Sequence, residues 1–295
     1  MIATVGTFDG VHRGHLFLLR KLAEAAELLE TDSCVVTFRN HPSEILSPTP
    51  KKRLISATEK ERLILEAGIN TVLFFTFDSE LRRLSSLEFA RQLREQYGIT
   101  AFLVGHDNRF GSDVNVDFND FVATLAADGF KVLVVKQQFS DISSTAIRRD
   151  IARGDVVAAE RKLGRLYSLA GIVCRGKGIG HTIGFPTANV VPEEKKLLIP
   201  ADGVYAARAR FDGMIYGAMV NIGHRPTVEA DADAPTSIEA NIFDFNGNLY
   251  GKSMEIYFVE RVRSEQRFSD INALQEQLRI DVISVREILH NRIVS

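Results

Sequence analysis

Hydrophobic positions divide the chain into two parts that differ in periodicity. Up to about residue 165, short apolar runs alternate with stretches in which apolar residues recur at helical spacing. The runs are residues 2–5, 34–38, 71–75, 101–104 and 131–135, and the helical stretches are residues 16–29, 56–65, 87–96 and 118–127. Alternating strands and helices predict a buried parallel sheet with right-handed crossovers. Such sheets bind ligands beyond the carboxyl ends of their strands, where residues 6–15 and 105–111 are expected.

From residue 166 onward, apolar and polar residues alternate with period two. The pattern is clearest in residues 204–211, 237–243 and 254–262, with turn dipeptides at Asp212-Gly213 and Asn246-Gly247. Several strands of this kind predict an antiparallel barrel. Beyond Asp270, an apolar stripe at helical spacing predicts one long helix. A helical stretch over residues 147–164 is expected to join the two parts.

Composition and charge exclude several classes of protein. The 295 residues are 45% hydrophobic and 25% charged, which excludes a disordered or collagen-like chain. A net charge of −2 leaves no basic footprint for nucleic acid. No run approaches the roughly 18 apolar residues that a membrane span needs. The expected partners are therefore small molecules, with neither nucleic acid nor membrane, and a homo-oligomer stays open.

The cysteine content and the N-terminus bear on the compartment. Cys34 and Cys174 both lie in apolar, strand-like runs, and two cysteines make neither a metal cage nor a disulfide framework. The N-terminus has no basic segment followed by an apolar stretch, so no secretion signal is predicted. Both features predict a cytoplasmic protein.

The first candidate site is the sequence GTFDGVHRGH at residues 6–15, between a predicted strand and a helix. Its three glycines allow the backbone to approach a ligand closely, and the start of a helix attracts anions. His12 and His15 lie three residues apart, on one face of the first helical turn. This arrangement suits a polyphosphate whose charge grows during nucleotidyl transfer. Two alternatives are that the histidines only cap and pack the helix, or that they form part of a zinc site.

The segment ISSTAIR at residues 142–148 adds hydroxyl groups at a predicted helix start and an arginine one turn later. Hydroxyls cap helices or bind phosphate oxygens, and arginine binds phosphate through two parallel hydrogen bonds. An ordinary N-cap followed by a solvated arginine explains the same residues, and on this segment alone it is the favoured interpretation.

A second glycine-rich region covers residues 176–189 and ends in Pro186-Thr187-Ala188-Asn189. Thr187 and Asn189 are two apart on an extended segment, so their oxygen atoms face the same side and suit Mg²⁺. The alternative is a barrel turn with a routine threonine–asparagine hydrogen bond. Glu239 lies on the strand face opposite its apolar neighbours. This position fits either a proton acceptor in phosphate transfer or an ordinary solvated carboxylate.

Together these motifs resemble the bacterial bifunctional riboflavin kinase/FAD synthetase (FMN adenylyltransferase) family over nearly the whole chain. The resemblance implies an α/β plus β fold. A Rossmann-like nucleotidyltransferase domain would cover residues 1–165, and an antiparallel β-barrel riboflavin kinase domain with a long C-terminal helix would cover residues 166–295. The implied reactions are ATP-dependent phosphorylation of riboflavin to FMN and adenylylation of FMN to FAD, with Mg²⁺. Two alternatives are open. In one, only one module is active, with the kinase as the favoured module, and in the other the chain is a non-catalytic flavin sensor.

The resemblance also implies roles for individual residues. Those implied for ATP are Gly6, Phe8, Asp9, Gly10, His12, His15, Ser144, Thr145, Arg148, Gly178, Gly180, Thr187 and Asn189. Those implied for the flavin are Phe38, His41, Pro42, Asp107 and Arg225. Thr187 and Asn189 would also hold the metal, while Glu239, His12 and His15 would be catalytic. The chain departs from the family pattern at Asn40, Asn108, His181 and Asn241, where proline, an aromatic residue, arginine and histidine are usual.

Overall fold

A computed structural model of the chain describes residues 1–105, 109–136, 138–139, 141–176, 184–224 and 236–292. By its internal contacts the chain forms two compact units, Met1–Ser144 and Thr145–Ser295. Within the described residues, no helix combines the length and apolar character needed to cross a membrane.

The first unit is built on a parallel sheet, as its alternating pattern predicts. The strands are β1 (Ile2–Val5), β2 (Ser33–Phe38), β3 (Thr71–Phe75), β4 (Ala101–Gly105) and β5 (Lys131–Val135). They lie in the order β3-β2-β1-β4-β5, and each neighbouring pair is parallel. The helices are α1 (Arg13–Leu28), α2 (Ser43–Leu46), α3 (Ala57–Glu66), α4 (Ser86–Tyr97) and α5 (Phe118–Ala127).

The position of β1 explains where a ligand can bind in this unit. The strand is central, and the chain order reverses between β1 and β4, so a crevice opens at the carboxyl ends of these strands. Alternate side chains of β1 enter two separate apolar cores: Ala3 and Val5 on one face of the sheet and Ile2 on the other. With both faces buried, the loop that follows Val5 is held at the edge of the sheet.

The second unit contains a closed antiparallel barrel, which confirms the period-two prediction. Its helices and strands are α6 (Ser144–Ala152), α7 (Val156–Leu163), β6 (Tyr167–Cys174), β7 (Ala188–Pro192), β8 (Gly203–Phe211), β9 (Met214–His224), β10 (Thr236–Ile242), β11 (Ser253–Arg263) and α8 (Ile271–Asn291). The strand order around the barrel is β10-β7-β6-β11-β8-β9, and β9 pairs with β10 to close it. The predicted C-terminal helix is α8, whose Val285 and Leu289 pack in a core with residues of β8 and β9.

Two local predictions for this unit have different outcomes. Asp212 and Gly213 both have positive φ, 48° and 76°, as the tight hairpin turn between β8 and β9 requires. The turn signal at Asn246-Gly247 does not mark a hairpin, because β10 and β11 are not neighbours in the barrel. Those two residues lie in the long connection that crosses from one strand to the other. The predicted helical stretch over residues 147–164 forms two helices, α6 and α7, and Asp155 caps the second.

Candidate functional site

The two histidines of the glycine loop form a stacked pair at the start of α1. The backbone N–H of His15 donates to Nδ1 of His12 at 3.3 Å, so His12 is the N-cap of the helix. The imidazole rings stack with centroids 3.6 Å apart and planes 15° apart. A Cβ at Gly14 would lie 3.2 Å from the His12 ring, so glycine leaves room for this stacking. Because Nδ1 accepts this hydrogen bond, a neutral His12 ring carries its proton on Nε2.

The backbone of this loop contains two conformations that non-glycine residues rarely adopt. Phe8 has a φ of 48° and Val11, a β-branched residue, has a φ of 37°. Such conformations persist where the surrounding structure holds them, and they cluster at ligand sites. The Phe8 ring is buried with its centroid 5.1 Å from that of His15, so the loop backbone and the imidazole pair are packed together.

Hydrogen bonds from distant segments hold the loop in place. Gly6 donates its N–H to the Val36 carbonyl at 3.0 Å. The carboxylate of Asp9 accepts the N–H of Leu54 at 2.9 Å, and the carbonyl of Asp9 accepts the Ser144 hydroxyl at 2.8 Å. Asp9 and Ser144, both expected from the resemblance to bind ATP, therefore shape the loop through bonds to protein backbone.

Lys60 of α3 also contacts the loop, and it is a residue that sequence analysis missed. Its ammonium group is buried and donates to the carbonyls of Thr7 and Phe38, each at 2.9 Å. The sequence does place this lysine on the apolar face of its helix, because Lys60 is three and four residues from the buried Leu63 and Ile64. A lysine on the apolar stripe of a helix needs buried polar partners, and here these are backbone oxygens.

The loop after β2 contains the residues expected on the flavin side. The Phe38 ring is buried edge-to-face against Phe77, with centroids 5.4 Å apart. The side-chain amide of Asn40 exchanges two 2.8 Å hydrogen bonds with the backbone of Phe77, so this departure from the family pattern ties two loops together. Nδ1 of His41 accepts the N–H of Ser43 at 3.0 Å, and Pro42 is the N-cap of α2.

The segment with the hydroxyls and the arginine begins α6. Ser144 is the first residue of this helix, followed by an exposed Thr145, with Arg148 one turn on. The preceding Phe139 lies beside α1, where its ring is 5.4 Å from the Arg13 guanidinium and 6.1 Å from the Phe17 ring. Phe139 is therefore packed against the helix that carries the histidine pair.

The barrel brings together three residues that the sequence singled out for the second site. The Thr187 hydroxyl donates to a carboxylate oxygen of Glu239 at 3.2 Å. Strand register places Glu239 directly opposite Asn189 on β7 and opposite Asn221 on β9. All four side chains are half-buried, so this polar cluster, formed by β7, β9, β10 and the residue before β7, is accessible to a ligand.

Asn241 and Gly176 support this cluster from two sides. Asn241 is two residues beyond Glu239 on β10, and its amide donates to the Pro186 carbonyl at 2.7 Å. A Cβ at Gly176 would lie 2.1 Å from Nδ2 of Asn189, so only glycine leaves Asn189 its present position. Neither contact was predicted, although the sequence marked Asn241 as a departure from the family.

The donor set of the cluster fits Mg²⁺ bound together with nucleotide phosphates. Thr187, Asn189 and Glu239 offer hydroxyl, amide and carboxylate oxygens, which are the ligands of hard cations. In the described part of the chain, no group of three or more histidine, cysteine, aspartate or glutamate residues could hold a metal by itself. Mg²⁺ commonly uses one or two protein ligands and completes its coordination with phosphates and water.

Some expected site residues lie outside the residues that the structure describes. These are Asp107, Gly178, Gly180 and Arg225, together with the departures Asn108 and His181.

A parallel α/β unit with a histidine-bearing helix start, followed by a barrel with oxygen ligands beside a carboxylate, is the architecture of a two-domain phosphate-transfer enzyme. Residues 1–147 match the family model of FAD synthetase, and residues 163–289 match that of riboflavin kinase. The chain therefore belongs to the bifunctional riboflavin kinase/FMN adenylyltransferase family, which confirms the resemblance seen in the motifs.

Individual relatives show the same likeness over nearly the full length. The bifunctional riboflavin kinase/FMN adenylyltransferase of Pseudomonas fluorescens is 36% identical, with 97% of this chain and 92% of that protein covered. The enzyme of the same name from Bacillus subtilis (strain 168) is 33% identical, with coverage of 95% and 90%. A solved structure described as a macrolide-efflux protein from Streptococcus pneumoniae has a TM-score of 0.87 and 31% identity, covering 97% of this chain and 93% of that one.

Proposed function

We propose that this chain makes both flavin cofactors, by phosphorylating riboflavin to FMN in the barrel and adenylylating FMN to FAD in the α/β unit. The observation that carries the proposal is the convergence of Thr187, Asn189 and Glu239 on neighbouring strands of the barrel. The stacked His12 and His15 at a helix N-terminus supply a separate phosphate site in the other unit. Two phosphate-transfer sites in one chain match the two activities in the names of its relatives.

In the kinase reaction, Glu239 accepts the proton of the primary hydroxyl of riboflavin as that oxygen attacks the γ-phosphorus of ATP. ADP leaves and FMN is formed. Thr187 and Asn189 hold Mg²⁺-ATP, and the cation offsets the negative charge of the phosphates. The bond from the Thr187 hydroxyl keeps the carboxylate of Glu239 next to the phosphate ligands before substrate arrives. The same proposal assigns Gly178 and Gly180 to ATP binding and Arg225 to flavin binding.

In the adenylyltransferase reaction, a phosphate oxygen of FMN attacks the α-phosphorus of ATP, and pyrophosphate leaves. His12 and His15 stabilise the charge that develops on the phosphates, and no covalent enzyme intermediate is involved. The amide groups at the start of α1 aim at the same anion. Thr145 and Arg148 complete the ATP site, and His41, Pro42 and Asp107 contact the flavin.

The domain assignment and the cellular location are part of this proposal. Residues 1–165 form the adenylyltransferase domain and residues 166–295 the kinase domain, a division supported by the family matches to residues 1–147 and 163–289. A cytoplasmic location is supported by the two cysteines, Cys34 and Cys174, both of which are free thiols. ATP, riboflavin and FMN are the substrates.

A product assay tests both activities at once. The purified full chain is incubated with riboflavin, ATP and Mg²⁺, and the flavins are separated by chromatography over time. We expect FMN to appear first and FAD to follow, and supplied FMN to give FAD directly. Formation of only one product would identify a single active module, and formation of neither would leave a flavin-binding protein without catalysis.

A further inference from the structure

The ammonium group of Lys60 joins two backbone segments that border the α/β site. It donates at 2.9 Å to the carbonyl of Thr7, in the glycine loop, and at 2.9 Å to the carbonyl of Phe38, at the end of β2. A third contact reaches the hydroxyl of Thr37 at 3.3 Å. Only 6% of Lys60 is exposed, so its charged group is almost fully withdrawn from solvent. One buried side chain thus links the two loops directly.

The bond to Thr7 acts at the point where the glycine loop is most constrained. The Thr7 carbonyl belongs to the peptide that precedes Phe8, whose φ of 48° is rare for a non-glycine residue. Holding this carbonyl fixes the plane of that peptide and therefore the direction of the Phe8 side chain. The Phe8 ring packs against His15, and His15 stacks on His12. A continuous series of contacts leads from the ammonium group to the imidazole pair.

The bond to Phe38 acts at the end of β2, the strand next to β1. Phe38 is the last residue of β2, and the flavin-side loop begins directly after it. Because Lys60 binds this carbonyl and that of Thr7 through the same nitrogen atom, its side chain contributes directly to the spacing between the two loops. A shift of about 1 Å between reacting groups is enough to cost roughly 10²-fold in rate.

We infer that Lys60 is a positioning residue for FAD formation, which sets the distance between the ATP-side loop and the flavin-side loop without contacting either substrate. The inference rests on the proposed adenylyltransferase activity. It assigns the effect of Lys60 to the catalytic step, since the residue controls the relative placement of the two bound substrates.

The rest of the loop keeps its supports when Lys60 is replaced. The Thr7 carbonyl also accepts the Thr37 hydroxyl at 3.1 Å, and the bond between the Asp9 carboxylate and the Leu54 N–H does not involve Lys60. Lys60→Met keeps most of the apolar stem and removes the ammonium group, while Lys60→Gln keeps a neutral N–H donor. Both variants therefore remove the charged link between the two loops and leave the other supports of the fold in place.

The experiment uses the full chain and compares Lys60→Met and Lys60→Gln with Lys21→Met. Lys21 is a half-buried lysine of α1 that binds Glu24 at 2.6 Å, so the control removes a lysine whose ion pair lies within its own helix. FAD formation from FMN and Mg²⁺-ATP is measured at steady state, and FMN formation from riboflavin is measured in the same preparation. For the Lys60 variants we expect kcat of FAD formation to fall by about 10²-fold, with smaller changes in the KM values. FMN formation should be unchanged, and Lys21→Met should match the unaltered protein in both reactions.

Thiol titration shows whether the α/β unit of each variant is folded. Cys34 on β2 is fully buried, whereas Cys174 in the barrel unit is exposed, so the native protein should react at one thiol with an aromatic disulfide reagent. A variant with one reactive thiol and a large loss of kcat supports the inference. A folded variant with the kcat of the unaltered protein overturns it, as do two reactive thiols in both Lys60 variants, which would make the role purely structural. If the unaltered protein forms no FAD, the proposed function fails instead.

Discussion

The side-chain amide of Asn241 donates a 2.7 Å hydrogen bond to the carbonyl of Pro186. On the same face of β10, Glu239 accepts the Thr187 hydroxyl at 3.2 Å. Strand β10 thus contacts two consecutive residues, Pro186 and Thr187, of the segment that leads into the phosphate ligands. Asn241, which departs from the family pattern, holds the backbone at Pro186, and Glu239, the proposed base, contacts the side chain of Thr187.

Replacing Asn241 should loosen that segment and affect only the kinase reaction. Asn241→Ala removes one hydrogen bond of ordinary strength, so unfolding should become easier by about 1 kcal/mol. Because Thr187 directly follows Pro186, we expect FMN formation to slow by about tenfold, as placement of the phosphate ligands suffers. FMN formation and FAD formation from supplied FMN are the two measurements, with the exposed Asn246→Ala as control. Equal FMN formation by both variants would show that the Pro186 contact has no part in positioning.

Glu239 is the most direct test of the kinase mechanism. Glu239→Gln keeps the shape of the side chain and an oxygen for the Thr187 hydroxyl but removes proton acceptance, so kcat should fall by about 10²–10⁴-fold. Riboflavin binding should change little, because the lost interaction belongs to the transition state. FMN production is measured at saturating riboflavin and Mg²⁺-ATP, with the exposed Glu276→Gln of α8 as control. Turnover near that of the control would leave Glu239 as a solvated carboxylate.

Thr187→Val complements this test, since it removes an oxygen ligand at nearly constant volume. We expect it to raise the KM for Mg²⁺-ATP in the kinase reaction. FAD formation from supplied FMN should survive both the Thr187 and the Glu239 substitution.

Two substitutions of His12 separate its capping bond from its imidazole ring. His12→Ala loses both and should cost about 0.5–2 kcal/mol of stability, whereas asparagine is itself a favoured N-cap residue. We expect His12→Asn to restore stability but to remain as poor as His12→Ala in FAD formation. FMN formation should stay near normal in both variants and in His15→Ala. Thermal unfolding and FAD production are measured together, and recovery of FAD formation by His12→Asn would make capping the whole role of this histidine.

Gly176 is predicted to control ligand geometry without controlling stability. The Cβ of Gly176→Ala would lie 2.1 Å from Nδ2 of Asn189, but that atom ends a side chain that can turn away at little cost. We expect nearly unchanged thermal unfolding and a raised KM for Mg²⁺-ATP in FMN formation. Gly217→Ala is the control, because its Cβ would meet apolar atoms of Leu289 and Phe243 instead. A KM equal to that of the control would exclude Asn189 from nucleotide binding.

The buried thiol of Cys34 predicts how stability depends on alkaline pH. Burial raises the pKa of Cys34 from 9.0 to about 12, so the unfolded chain releases this proton at a lower pH than the folded one. The contribution of this thiol to the free energy of unfolding is complete below about pH 9. It is lost as the pH rises toward 12, because in that range the folded state binds more protons than the unfolded state. Urea unfolding of the α/β unit is measured over this range. Cys34→Ala should unfold more easily at neutral pH but show a smaller loss on raising the pH, and an identical slope would contradict the assignment.

The sequence by itself determined the features that depend on neighbours along the chain. The strands of the α/β unit begin and end within one residue of their predicted limits, because apolar runs mark buried strands directly. His12 and His15 share one helical turn since they are three residues apart, and Asp212-Gly213 forms the hairpin turn that its composition favours. Each of these features follows from local spacing and backbone preference.

Only the tertiary structure decided which distant residues meet. Lys60 reaches Thr7 across 53 positions of sequence, and Asn241 reaches Pro186 across 55. Asp9 and Ser144, which the resemblance assigns to ATP, also bind the backbone of distant segments. Periodicity assigns a residue to a face of its strand or helix, but it does not say which strand lies opposite or in which register. Those pairings are set by the strand order of the sheet and by closure of the barrel, in which many distant contacts form together.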